Sequence, residues 1–164
     1  MPPLPSPRLT NLGIFLFAVA AMVIALFLQH HDNLEPCPLC IFQRAGVMAA
    51  GAVALLAALH NPAALGRRLY AGLTLLPILF GLGVAGRHVW IQHLPPEDVP
   101  ACGPGLNYWI QNFPFQDVVQ KVLKGSGECA VVDWTFLGFS LPELTLAMFS
   151  GLAVVAVWQI FRRA

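Results

Sequence analysis

The cysteines at positions 37 and 40 enclose only Pro38 and Leu39. This spacing recurs in redox-active dithiols because the two sulfurs can exchange without large backbone motion. A structural staple would usually close a longer loop. Arg44 follows Cys40 by four residues, one turn on along the same face of a helix. If a helix opens at this pair, Cys40 stands among unpaired amide N–H groups, where the helix dipole and a permanent cation both favour the thiolate, the nucleophilic form of sulfur. Arg44 has a plainer reading too, in which its guanidinium snorkels to lipid headgroups. Two further cysteines, Cys102 and Cys129, are separated by 26 residues. Four cysteines allow three pairings, and sequence does not choose among them. The chemistry on offer is thiol–disulfide exchange, with two inert staples as the alternative.

Long apolar elements must position these residues. Of the 164 residues, 57% are hydrophobic and 10% charged, with a mean hydropathy of +0.70. That composition belongs to a membrane protein. Charges nearly cancel, nine basic against eight acidic residues, so there is no basic footprint for nucleic acid. Four runs are long enough to cross a hydrocarbon core, at about 11–29, 41–59, 69–86 and 141–161. The third contains Pro77, tolerated where neighbouring helices satisfy the freed carbonyl. Ser140 followed by Glu143 predicts a capping box opening the fourth. The expected fold is an all-α four-helix membrane bundle, one membrane domain over 1–164, with exported loops at about 30–40 and 87–140.

Charge asymmetry orients the bundle. Arg8 precedes the first run, Arg67 and Arg68 separate the second and third, and Arg162 and Arg163 follow the fourth, which marks these segments and both termini as cytoplasmic. Every acidic residue falls in or beside the other two loops. All four cysteines therefore face the oxidising side. A cleaved signal peptide is the rival reading of the N-terminus, with Ala18-Val19-Ala20 as its cleavage site, but the apolar stretch continues to Leu28, which favours an uncleaved anchor.

The second exported loop approaches Cys102 irregularly, through Pro95, Pro96, Pro100, Gly103, Pro104 and Gly105. An exposed disulfide there suits attack by an outside thiol. Phe115, Val118, Val119, Val122 and Leu123 recur at helical spacing opposite polar residues. This predicts a short helix, lying in the membrane interface or packed on other loop residues. Gly81-Leu82-Gly83-Val84-Ala85-Gly86 matches a dinucleotide fingerprint but lies inside a span, where close helix packing explains it better. No metal site is expected, since a four-cysteine zinc site would need a second close pair. His88, with Arg87, is placed at the exported end of the third span near the depth of Arg44, where a solvated interfacial histidine is an equal reading.

Cys37-Pro38-Leu39-Cys40-Ile41-Phe42-Gln43-Arg44 resembles the C-x-L-C-I-x-x-R opening of the second helix in the DsbB family of disulfide-bond formation proteins. Gly127-Glu128-Cys129, then Trp134-Thr135-Phe136-Leu137-Gly138, resembles the segment around that family's last cysteine, and the likeness covers nearly the whole chain. The resemblance implies a bacterial inner-membrane oxidoreductase that reoxidises a periplasmic DsbA-like thiol oxidase and passes two electrons to ubiquinone or menaquinone. It implies that Cys102 forms the mixed disulfide with the partner, that Cys129 pairs with Cys102, and that Cys37 exchanges with Cys129. It further implies that Cys40 contacts the quinone with support from Arg44, and that His88 lies near the quinone. A tetraspanin-like structural protein with stapled loops is the alternative from another class. A vitamin K epoxide reductase-like enzyme is a third, with the loop positions of the cysteines against it.

Overall fold

The computed structural model describes residues 5–103 and 106–162. Four helices are long and apolar enough to cross a membrane: α1 (Pro7–His31), α2 (Pro38–His60), α3 (Ala64–Gln92) and, after the second loop, α6 (Leu141–Phe161). The chain is an all-α, multi-pass membrane protein. Between α3 and α6 lie α4 (Leu106–Asn112), α5 (Phe115–Lys124), a 3-10 turn (Gly127–Ala130) and a two-stranded hairpin, β1 (Thr135–Phe136) with β2 (Phe139–Ser140).

The helices exceed the expected spans because their polar ends continue the same hydrogen-bonded ladder beyond the apolar run. Beyond the expected apolar spans, Arg8 lies in the first turn of α1, and Arg87 and His88 lie in the last turns of α3. Arg163, Pro104 and Gly105 fall outside the described residues. The starts of α1, α2 and α6 have local causes. Ser6 accepts the Leu9 amide at 3.3 Å ahead of Pro7. Cys37 is the N-cap residue of α2, with Pro38 at its first position. Ser140 and Glu143 form the expected capping box, with the Glu143 carboxylate 2.7 Å from the Ser140 amide nitrogen. The hairpin delivers Ser140 to that position through Leu137 and Gly138, at φ of 53° and 85°. Two successive positive φ values make a tight hairpin turn, and the second falls to glycine because it has no Cβ to clash.

The bundle core is made of small and branched residues from all four helices, including Ile14, Ala18, Val47, Ala54, Ile78 and Phe149. Large apolar side chains such as Leu16, Val23, Phe27, Leu76 and Val154 point outward, as lipid contact requires. Of the span-three glycines, Gly81 does the close packing: a β-carbon there would overlap the Phe149 ring of α6, and the backbone of Gly46 in α2 lies against it on another side. Gly83 faces open space. At the end away from the cysteines, Gln159 donates to Asn11 at 2.9 Å, a buried amide pair joining α6 to α1. Membrane-buried pairs of this kind contribute about 0.6 kcal/mol on average.

A Gly81→Val substitution will force Phe149 from its rotamer and cost about 1–3 kcal/mol. Thermal unfolding in detergent will show a lowered midpoint for Gly81→Val and little change for Gly83→Val.

Candidate functional site

Two separate elements bring three sulfurs to one point. Cys37 caps α2, Cys40 lies in its first turn, and Cys129 sits in the 3-10 turn of the second loop. Cys37 Sγ is 3.2 Å from Cys40 Sγ. The Cys37 and Cys129 sulfurs and a ring nitrogen of His88 all lie within 4.8 Å of one another. His88 turns its two nitrogens to different neighbours, Nε2 3.8 Å from Cys37 Sγ and Nδ1 3.9 Å from Cys40 Sγ. The side-chain nitrogen of Gln43 lies 3.2 Å from His88 Nδ1. With the amide donating, Nδ1 is the acceptor, and the ring proton sits on Nε2, facing Cys37.

The second loop is held down by an apolar seam. Leu39 of α2, Ile91 of α3, Val122 of α5 and Cys129 are each fully buried in one cluster, which Val118 and Trp109 complete. The short amphipathic helix therefore exists at the expected residues, and it buries Val118 and Val122 against the ends of α2 and α3 while Phe115 stays exposed. After α5 the chain turns at Gly125, with φ of 83° and a β-carbon position that would collide with Ile91. Arg87 clasps the end of α5, donating to the Lys124 carbonyl at 3.1 Å and the Leu123 carbonyl at 3.4 Å. Together these features deliver Cys129 to Cys37.

Cys102 is elsewhere. It is exposed, in the irregular stretch before α4, and its sulfur would stand 2.9 Å from a β-carbon at Gly127, two residues before Cys129. Gly127 also donates its amide to the Ala101 carbonyl at 3.4 Å. The segment bearing Cys102 thus lies across the turn bearing Cys129, one sulfur in water and the other buried.

A cleft of about 1040 Å³ runs from this cluster down between helices. Its walls are apolar, with Ala20, Ile24 and Leu28 of α1, Val47 of α2, and Leu144 and Met148 of α6. Its inner end is polar, formed by Gln29, Cys40, Gln43, Arg44, His88 and Gln92. Arg44 donates to Gln29 Oε1 at 2.5 Å and to the Ala25 carbonyl at 3.3 Å, so its guanidinium is held against α1 on the cleft wall. This is a fixed position rather than a snorkelling one.

The family model for "Disulfide bond formation protein DsbB" matches residues 7–159. The chain belongs to the DsbB family. Relatives named Disulfide bond formation protein B include one from Acinetobacter baumannii, 57% identical over 158 residues, covering 96% of this chain and 92% of the relative. Another, from Acinetobacter baylyi, is 56% identical over 151 residues, covering 92% and 88%. A third, from Nitrosococcus oceani, is 51% identical over 151 residues, covering 92% and 89%. As a DsbB-family chain it has an oxidoreductase role in disulfide bond formation, which entails a partner for disulfide exchange. The tetraspanin-like alternative is set aside by that membership.

Sequence reasoning for this DsbB-family site named Cys37, Cys40, Cys129, Arg44 and His88, all of which the fold brings to one region, and Cys102, which it leaves at the surface. His88 is only 3% exposed, a buried member of the cluster rather than a solvated interfacial residue. Gln43, Gln29 and Arg87 were missed. The available signal for the two glutamines was a polar side chain in or at the end of an apolar run.

The Cys129 thiol is held well above the ordinary cysteine range, first by its hydrogen bond to Cys37 and then by burial. In the fully reduced chain, where Cys37 is free to make that hydrogen bond, the raised pKa keeps the Cys129 sulfur protonated at neutral pH. In fully reduced protein, carbamidomethylation of Cys129 will lag behind that of Cys102 and climb about tenfold per pH unit up to pH ~9 without a plateau. Peptide mass spectrometry will measure it, and a plateau near neutrality would contradict the assignment. An Arg87→Ala change will loosen the end of α5 and lower the yield of the Cys37–Cys129 crosslink in diamide-treated membranes. Arg87→Lys will restore little of it, since one ammonium cannot serve two carbonyls with a planar fork.

Proposed function

We propose that this chain reoxidises a periplasmic DsbA-like dithiol oxidase through its two cysteine pairs and passes the electron pair to a membrane quinone. The observation that supports this most strongly is the meeting of Cys37 with Cys129 and His88 within 4.8 Å, with Cys40 beside them at the polar end of an otherwise apolar cleft. Two cysteines far apart in sequence are positioned for exchange, and the one nearest the lipid-lined space belongs to the short-spaced pair.

The relay runs through the chain's own sulfurs. A partner thiolate attacks Cys102 in a Cys102–Cys129 disulfide, forming the mixed disulfide and releasing Cys129. The Cys129 sulfur then attacks Cys37 in a Cys37–Cys40 disulfide, and Cys40 leaves as a thiolate. With its ring proton on Nε2, 3.8 Å from Cys37 Sγ, His88 is placed to donate a hydrogen bond that steadies the charge developing on that sulfur during these exchanges. The partner's second thiolate next attacks its mixed-disulfide sulfur and frees Cys102, which attacks Cys129 and releases Cys37. At the end the partner is oxidised, Cys102–Cys129 is restored, and two electrons reside on the Cys37–Cys40 dithiol.

The cleft suits a lipid-soluble acceptor with a polar head. Its apolar walls fit an isoprenoid tail, while Arg44, Gln29, Gln43 and His88 offer hydrogen-bond partners to ring oxygens beside Cys40. Ubiquinone or menaquinone bound there would supply a two-electron, two-proton sink. Arg44, fixed by Gln29 and Ala25, would hold positive charge at that end of the cleft and favour the leaving thiolate. The distribution of basic residues supports an inner-membrane location with both termini cytoplasmic and the cysteine loops periplasmic.

Purified protein supplied with a reduced DsbA-like dithiol and a short-chain quinone will form quinol with the wild-type chain. Cys40→Ser will reduce turnover at least about 100-fold. Turnover by Cys40→Ser at the wild-type rate would overturn the reading. Arg44→Ala will raise the KM for quinone more than that for the dithiol protein.

A further inference from the structure

We infer that the reduced cluster is a binding site for a thiophilic divalent cation, zinc in particular, held by Cys37 Sγ, Cys129 Sγ and His88 Nε2. The sequence argues against a zinc site because it lacks a second close cysteine pair, but the fold supplies what spacing does not. The three donor atoms come from the cap of α2, from α3 and from the second loop, and lie within 4.8 Å of one another. Zinc–sulfur bonds of about 2.3 Å and zinc–nitrogen bonds of about 2.0 Å, at tetrahedral angles, put such donors roughly 3.5–3.8 Å apart. The Cys37 sulfur already stands 3.8 Å from Nε2. Bringing the three onto one ion takes a contraction smaller than a rotamer change.

The surroundings favour this ion over harder ones. The three donors are sulfur, sulfur and imidazole nitrogen, a set that binds zinc and discriminates against magnesium, calcium and manganese. On binding, the ring proton passes from Nε2 to Nδ1, and Gln43, 3.2 Å away, orients the ring by turning its amide so that Oε1 accepts that proton, the service that outer-shell acceptors perform for metal-bound histidines. Ser126 Oγ, 3.8 Å from Cys129 Sγ, is placed to steady that sulfur. Two thiolates and a neutral imidazole cancel the charge of a divalent ion, so the complex is neutral in a region where His88 and Cys129 are buried. Cys40 Sγ, 3.2 Å from Cys37 Sγ, borders the fourth position.

Binding converts two thiols to two thiolates and releases two protons to water, with no electrons transferred. A sulfur whose lone pair is committed to zinc cannot attack a disulfide, and a sulfur in a disulfide cannot bind zinc. The site therefore exists only in the reduced chain, and its occupancy holds Cys37 and Cys129 out of exchange. The inference rests on the placement of these three residues alone and needs neither quinone nor protein partner.

The test uses the full-length chain in detergent, reduced and then freed of reductant without oxygen. Zinc titrated against a chromogenic chelator will show one ion per wild-type chain and none after oxidation with diamide. Cys37→Ser, Cys129→Ser and His88→Ala will each weaken binding at least tenfold, whereas Cys102→Ser and Cys40→Ser will retain it. Wild-type binding by Cys129→Ser or His88→Ala would overturn the inference, since the Cys37–Cys40 pair would then hold the ion unaided. Cobalt added to the unaltered chain gives a second readout free of folding concerns. A sulfur-to-cobalt charge-transfer band with intense tetrahedral visible bands is expected, and absence of that spectrum would equally overturn it. Because no acceptor is present, failure here leaves the quinone reaction of Cys40 standing, and failure of that reaction leaves zinc binding intact.

Discussion

Leu39, Ile91, Val122 and Cys129 exclude water completely where the second loop meets the ends of α2 and α3, and the geometry of the sulfur cluster depends on that seam. The four long helices alone would leave Cys37 and Cys40 at a helix start with nothing opposite them. Burying Val118 and Val122 of α5 fixes one end of a short segment, and the Gly125 turn and the Arg87 clasp fix its exit. Cys129 follows within five residues. A loop carrying so few buried side chains gains only a few kcal/mol of apolar burial, at about 1.5–3 kcal/mol per large side chain, before its ordering entropy is counted. It stays in place because its contacts are concentrated at the point that matters and because one end is continuous with α3.

Polar residues inside the bundle obey a second constraint, that groups withdrawn from water must find partners within the protein. Among the described residues, no buried side-chain nitrogen or oxygen lacks a hydrogen-bond partner. The pairs divide by position. Asn11 with Gln159 joins the first and last spans at the end away from the cysteines. At the cysteine end, Gln43 meets His88, Arg44 meets Gln29, and Ser140 donates to Gln92 at 2.9 Å. The first pair closes the bundle. The others line or border the cleft, where the same side chains that satisfy one another could also face a ligand.

Much of this was legible in sequence, for reasons that differ by residue. The spans follow from uninterrupted apolar runs, and the α6 start from Ser140 and Glu143, because both signals are local. α5 was legible from the period of Phe115, Val118, Val122 and Leu123, since an amphipathic pattern needs no tertiary knowledge. What α5 packs against was not, because both the lipid interface and the ends of α2 and α3 offer apolar surface. The cysteines were legible as two pairs by loop, yet the approach of Cys37 to Cys129 was implied only by the family resemblance, because it depends on the path of the 26 residues after Cys102. The same holds for Arg87, whose carbonyl partners are 36 and 37 residues away. His88 looked interfacial because the apolar run ends near it, but α3 continues to Gln92 and the second loop covers it.

The burial of Cys129 and the exposure of Cys102 give the proposed relay its direction. An exposed sulfur can be reached by a folded partner, and a buried one only by another sulfur of the same chain, so an outside thiol meets the outer pair at Cys102 and not at Cys129. The two steps therefore have different surroundings, the first in water and the second beside the buried Leu39, Ile91 and Cys129. Were Cys129 as exposed as Cys102, an outside thiol could attack either sulfur of the outer pair, and attack at Cys129 would release Cys102 in place of the sulfur that meets Cys37. The apolar seam that holds the loop in place thus also buries Cys129 and directs outside attack to Cys102.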